Sequence, residues 1–332
     1  MKAEKPVDKA LIKAGIKENY FHTGEIRMNY VAGPPNGTPL VFIPGQTVTW
    51  EEYTLIMPEL SDRFQVFAVS LRGHGKSSWT PGQYTFNQLG KDMTAFLKGV
   101  VGKPALVAGN SSGGVLTSWL AANSPEWVKA IILEDPPLFR CEWPAIMDTW
   151  VYDMFLGLSR MAIAGGGGYS RFFLEELMKA AEDAKGVMDM KAPPKVIQKI
   201  IAWWIAVKQA FSPGSPIDFK ILPQSVRILI RSTSQFDGNF SRAFVEGTAG
   251  EGFDHATTLA RITQPILFLH ANWFMHQGRL MGALDDQDVT RVKSLVKGSW
   301  KYVRMNCGHA IALEAPVEEA KEILAWVDEY VK

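Results

Sequence analysis

Several short runs in this chain are apolar at consecutive positions rather than alternate ones, and that constrains it most. Pro39–Ile43, Phe64–Leu71, Pro104–Ala108, Val128–Leu133 and Pro265–Ala271 all read this way. A strand without a polar face has both faces buried, which is the signature of a parallel sheet covered by helices on each side. The intervening segments fit that reading. Trp50–Leu60 and Gly113–Asn123 have helical spacing, and Thr85–Val101 places Phe86, Leu89, Met93, Phe96 and Leu97 on one stripe. Glu25–Ala32 alternates as a strand does, and Gly33-Pro34-Pro35-Asn36-Gly37 is a turn cluster. Three further elements close the chain: a helix at Gln287–Val296, a strand at Trp300–Met305 and an amphipathic helix at Val317–Val331.

The alternation of strand and helix breaks in the middle. Residues 137–260 read as helical and are rich in Trp, Phe and Met, with Gly165-Gly166-Gly167-Gly168 and Pro193-Pro194 as loop or hinge points. A length of 332 residues accommodates one large α/β domain with an insertion. The expected organisation is therefore a core formed by residues 1–136 and 261–332, with 137–260 as a helical cap.

Composition removes several classes. The formal net charge is +1 and no Lys/Arg block stands out, so neither a nucleic acid nor a membrane surface is an expected partner. The longest apolar runs, such as Ala202–Val207, fall far short of a bilayer span, and Met1–Lys17 has no apolar core of the kind a secretory signal needs. The two cysteines, Cys141 and Cys307, have neither metal spacing nor the look of a disulfide framework. The expectation is a cytoplasmic enzyme. No HExxH-type cluster and no phosphate-binding glycine loop follows a strand, so no metal and no cofactor is expected.

The chemistry-bearing motif is Gly109-Asn110-Ser111-Ser112-Gly113, set between the apolar strand Ala105-Leu106-Val107-Ala108 and a helix. A serine nucleophile needs that sharp strand–turn–helix so its hydroxyl stands clear of the sheet, and glycines two residues to either side let the backbones approach. Ser112 lacks the preceding glycine, so Ser111 is selected. A hydroxyl also needs a base, and in this arrangement the histidine follows the last strand. Of six histidines only His309 is placed there, whereas His22, His74, His255, His270 and His276 read as packed or surface residues.

The acid that orients His309 has two possible locations. After Pro265–Ala271 no carboxylate occurs before Asp285 and Asp286, which look like a helix start. The preceding strand ends in Glu134-Asp135, and one of these two serves. Two backbone N–H groups must face the developing oxyanion. They are expected from Ser112, after the nucleophile, and from Gln46 in the loop that follows Pro39–Ile43.

With these motifs in hand the chain resembles the α/β-hydrolase superfamily along nearly its whole length. More narrowly it is similar to the longer bacterial zearalenone hydrolases, which open the macrolactone ring of that mycotoxin. The matching stretches include Val66-Phe67-Ala68-Val69, Arg72-Gly73 with Trp79-Thr80-Pro81, and Val107 to Gly114. Glu134-Asp135, Ala243 to Thr248, and Gly282-Ala283-Leu284 with Asp286 match as well. The chain departs from the wider superfamily at Ser70, where an Asp is common. The resemblance implies an α/β-hydrolase fold with a mostly parallel sheet and a helical cap, and it assigns the acid to Asp135, with Glu134 as the alternative. It also sharpens an ester substrate to a macrolactone. A serine nucleophile argues against the haloalkane dehalogenase and epoxide hydrolase chemistry this fold also hosts.

The cap carries Trp143, Trp150, Phe155, Phe172, Phe173, Trp203 and Trp204. Trp150, Trp203 and Trp204 are the expected contacts to a bulky apolar substrate. The expected partners are a small-molecule lactone or ester and, at most, a second copy of the chain as a homodimer. Two rival readings stand beside the lactonase: a general carboxylesterase or carbon–carbon hydrolase, and a non-catalytic ligand receptor on the same fold.

Overall fold

The computed structural model describes residues 8–164, 169–183, 195–211, 216–220 and 222–331. The loop points expected at Gly165–Gly168 and Pro193-Pro194 lie outside the described residues.

Eight strands form one sheet. In chain order they are β1 Lys17–His22, β2 Arg27–Ala32, β3 Thr38–Ile43, β4 Phe64–Ser70, β5 Ala105–Asn110, β6 Val128–Glu134, β7 Ile266–His270 and, last, β10 Trp300–Arg304. Their spatial order is β1-β2-β4-β3-β5-β6-β7-β10. The first two pairings, β1 with β2 and β2 with β4, are antiparallel, and all the others are parallel. A separate hairpin, β8 Phe274–His276 with β9 Arg279–Met281, stands just after β7.

The consecutive apolar runs divide cleanly between two cores. Val41, Ile43, Val107, Ile131 and Leu133 face one layer, while Leu40, Phe42, Leu106, Ala108 and Ile132 face the other. Side chains alternate across a strand, so a run apolar at every position supplies both layers. Helices α1 Lys9–Lys13 and α2 Met57–Leu60 lie early in the chain. Helices α3 Phe86–Phe96 and α4 Ser112–Asn123 pack on the first layer. Thr85 and Gln88 close the start of α3 with a capping box. The single helix expected over Trp50–Leu60 is instead a 3₁₀ turn, Trp50–Tyr53, followed by the one-turn α2. Pro58 at the start of α2 explains the break, since it cannot donate into a preceding helical turn.

Between β6 and β7 the chain leaves the sheet and forms α5 Trp150–Ile163, α6 Tyr169–Asp183, α7 Lys195–Phe211, α8 Gln224–Thr233, α9 Gly238–Val245 and α10 His255–Leu259. Returning, it adds α11 Asp286–Leu295, α12 Ile311–Glu314 and α13 Pro316–Tyr330. Asp285, at the place where a helix start was expected, caps α11 with its side chain. Among the described residues no helix is long and apolar enough to cross a membrane.

Candidate active site

Ser111 occupies the turn between β5 and α4 with φ 54° and ψ −126°, a conformation that costs a non-glycine residue free energy. The flanking glycines explain how it is tolerated. A Cβ at Gly113 would lie 2.2 Å from the Ile43 carbonyl oxygen, and one at Gly109 would lie 2.4 Å from the Gly113 carbonyl oxygen. Only glycine lets the helix start this close to the strands. The Ser111 N–H donates to the Glu134 carbonyl at 3.0 Å, which ties the turn to the end of β6.

His309 lies in the loop after β10, and its Nδ1 is 2.7 Å from Asp135 Oδ2. Asp135 itself has φ 45°, and its other oxygen accepts the Ala271 N–H at 3.2 Å. The Asn110 side-chain amide donates to the His309 carbonyl at 2.9 Å, so the residue before the serine also holds the histidine loop. With Nδ1–H committed to Asp135, Nε2 is the ring atom free to take a proton. Burial works against the charged ring. The hydrogen bond and charge of Asp135, aided by Glu52 and Glu314, outweigh it and raise the His309 pKa.

Glu134 points the other way. Its side chain is fully buried, Oε2 accepts the Tyr53 hydroxyl at 3.0 Å, and burial with the neighbouring Glu319 and Glu52 pushes its pKa well above the usual carboxylate range. The two adjacent carboxyls thus have separate environments, and the structure brings only Asp135 to His309.

Gln46 and Ser112 flank Ser111. Among the described residues the Gln46 N–H has no protein acceptor, and Ser112, as first residue of α4, has an N–H that the helix itself leaves unpaired. The loop carrying Gln46 is tied down on both sides. Gly45 N–H donates to Glu52 Oε2 at 2.9 Å, and Thr47, at φ 72°, donates its N–H to His74 Nε2 at 3.1 Å. Burial pushes the His74 pKa down to about 4, so the ring stays neutral and can accept that bond. The Gln46 side chain reaches Ser241 Oγ on α9 at 2.6 Å, linking the loop to the helical segment above.

Ser111, His309, Gln46 and Ser112 all open onto one cavity of about 220 Å³. Its upper wall is apolar and includes Trp150, Met154 and Phe155 from α5, Phe173 from α6 and Phe244 from α9. Met281, Gly282 and Ala283 close one side. Trp150 therefore reaches the cavity as expected. Trp203 and Trp204 do not, which corrects that expectation: they are exposed, 60% and 51%, and pack edge to face on each other. The reason is rotational. Helix α7 turns Ile201 and Ile205 into a small core shared with α6 and α8, and the tryptophans fall outside that stripe. Glu52, which also lines the cavity, had no sequence signal beyond a carboxylate beside Tyr53 in a stretch read as plain helix. Among the described residues no three His, Cys, Asp or Glu side chains are grouped to hold a metal ion.

Comparison with known proteins agrees with the fold. A family profile described as alpha/beta hydrolase fold matches residues 38–167. The 3-oxoadipate enol-lactonase 2 of Acinetobacter baylyi is 29% identical over 110 residues, covering 33% of this chain and 41% of that protein. The bifunctional epoxide hydrolase 2 of Sus scrofa is 29% identical over 130 residues, 38% of this chain and 21% of that protein. The chain thus spans about two fifths or less of these curated relatives. Solved structures match over far more of its length. A bacterial membrane phospholipase A superposes with a TM-score of 0.65 at 20% identity, covering 96% of this chain and 88% of that one. The enol-lactonase of Burkholderia xenovorans superposes with a TM-score of 0.62 at 16% identity, covering 94% and 100%. At such identities the likeness is one of fold, and together with the sheet order and the strand–turn–helix at Ser111 it shows that this chain has the α/β-hydrolase fold.

Proposed function

We propose that the protein is a cofactor-independent serine hydrolase that opens a lactone ester, with zearalenone or a related resorcylic macrolactone as the substrate. The observation that carries this reading is the joint placement, on one largely apolar cavity, of Ser111 on its strained turn and of His309, whose Nδ1 lies 2.7 Å from Asp135 Oδ2. In this mechanism the Ser111 hydroxyl attacks the lactone carbonyl and His309 Nε2 takes its proton. Asp135 holds the imidazolium that forms. The Gln46 and Ser112 N–H groups receive the negative oxygen. His309 then returns the proton to the leaving alkoxide. Ring opening leaves that alcohol tethered to the acyl-enzyme, which water hydrolyses with His309 again as base. The lactone rather than a simple ester is favoured by the resemblance through Ala243–Thr248 and Gly282–Leu284, stretches that contribute Phe244, Gly282 and Ala283 to the cavity. Two enol-lactonases among the similar proteins point the same way.

Incubation with zearalenone should yield a product heavier by one water, or its decarboxylated descendant, detected by mass spectrometry. Full activity should survive a chelator, and loss restored by a divalent ion would overturn the mechanism. Ser111→Ala should cost about 10⁴–10⁶-fold in rate with the fold retained, while Ser112→Ala, which keeps its N–H, should cost far less. Equal impairment of the two variants would remove Ser111 from its role.

A further inference from the structure

Two carboxyl side chains, Glu52 and Glu314, line this cavity, and of the two Glu52 is the buried one. Glu52 is 1% exposed, sits in the 3₁₀ turn that follows the Gln46 loop, and lines the cavity together with Ser111 and His309. Its neighbour Glu51 is turned away and pairs with Arg231 at 2.7 Å, so the two acidic residues do different things. Among the described residues no Lys or Arg pairs with Glu52. It accepts the Gly45 N–H at 2.9 Å, and the titratable group lowering its pKa is the His309 ring.

Gly45 is where that bond matters. A Cβ there would lie 3.1 Å from Ser111 Cβ and 3.2 Å from Asn110 Oδ1, so this peptide presses directly against the nucleophile turn. The next N–H in the chain is that of Gln46. The bond from the Gly45 N–H and the close contact with Ser111 and Asn110 together restrain Gly45, the hinge between the Pro44–Gly45 peptide and the peptide that carries the Gln46 N–H.

We propose that Glu52 is a positioning residue for hydrolysis: it orients the Gln46 N–H through Gly45, and from the cavity that both residues line its negative form supports the protonated ring of His309. The proposal rests on the reading of Ser111 and His309 as nucleophile and base. The groups that face Glu52 and His309 agree with it. From the end of β6 come Asp135, bonded to His309, and Glu134, and from α13 comes Glu319; the negative charge of Glu52 helps to raise the pKa of the last two. From α12 comes Glu314, whose Oε2 accepts the Gly308 N–H at 2.8 Å. Tyr53 is occupied with Glu134 and Ile43. Burial raises the Glu52 pKa to about 7, opposed by the Gly45 N–H and by His309, so its charge changes within the working range of a histidine base.

Two substitutions separate the two actions. Glu52→Gln keeps an oxygen for Gly45 and removes the charge. Without that charge His309 loses its proton more easily, so the acid limb of the kcat/KM profile should move down by about 0.5–1 pH unit. The plateau should fall only about threefold, since the base is weaker, and KM should hold. Glu52→Leu removes the acceptor as well and should cost about 10²-fold in kcat, the scale of losing one oxyanion donor.

The His309 titration should also be followed by NMR in resting ¹⁵N-histidine-labelled protein, with its signal assigned by loss in His309→Asn. It should titrate lower in Glu52→Gln than in the wild type, whether or not any given ester is turned over. A His309 titration and a pH profile unchanged in Glu52→Gln, with Glu52→Leu losing activity only in step with its Tm, would reduce Glu52 to a packing residue and overturn the proposal. An active Ser111→Ala would instead overturn the nucleophile reading, and the NMR shift would still judge the charge on Glu52.

Discussion

At Asp135 the backbone turns to φ 45°, just past the end of β6, and swings its carboxylate out of the strand's alternation towards His309. Glu134, still within the strand, keeps the alternation and points into the layer of Ile132, under α13. One residue therefore meets the imidazole and the other a buried hydroxyl and a second carboxyl. If Asp135 holds the ring, Asp135→Asn should cost on the order of 10⁴-fold in kcat with little loss of stability, because shape is kept and charge is not. Glu134→Gln should cost no more than about threefold, since its carboxyl is held protonated away from the ring. Kinetics of both variants at one pH decide the matter, and the reverse ranking would move the acid to Glu134.

At the level of elements, the contact of α13 with β6 carries an unusual burden. Glu319 is fully buried beside the Glu134 carboxyl, and burial pushes its pKa up to about 8. A carboxyl raised in the folded state contributes its full stability below the unfolded value, about 4.3. That stability is lost as pH rises through the folded value. The contribution of Glu319 therefore falls between about pH 4.3 and 8. Relative to the wild type, Glu319→Gln, neutral throughout, should melt several °C higher at pH 8 than it does at pH 4. Calorimetry at the two pH values tests this, and a constant difference would show that the carboxyl does not ionise there. The β5–α4 turn is the other element under constraint. Its glycines were legible in the sequence because any Cβ there would come within 2.2 or 2.4 Å of a backbone oxygen, which leaves no alternative residue.

For the molecule as a whole, the helices between β6 and β7 roof a cavity whose floor belongs to the sheet. Chemistry and substrate choice should then separate. Trp150→Ala should change the ratio of lactone to small aryl-ester hydrolysis by about tenfold, the scale of one well-packed apolar contact. Trp203→Ala and Trp204→Ala, on the outer face of α7, should leave that ratio within about twofold. A shift of the ratio in the outer pair equal to that of Trp150 would contradict the cavity assignment.

What residue order determines by itself is whatever depends on neighbours in the chain. The doubly apolar runs dictate a sheet covered on both faces, the G-x-S-x-G spacing dictates a turn only glycines permit, and Asp285 announces a helix start. The antiparallel edge strand β1 and the β8–β9 hairpin escaped notice because their burial is partial and their segments short. What only the tertiary structure decided are relations between distant residues. Asp135 meets His309 across 174 positions, Gln46 meets Ser241 across 195, and Trp203 and Trp204 face outward because their helix is rotated by its own small core. Sequence periodicity reports which positions share a face. It carries no information on which other element that face will meet, and the choice between Glu134 and Asp135, like the placement of Glu52 beneath the Gly45 amide, depends on that meeting alone.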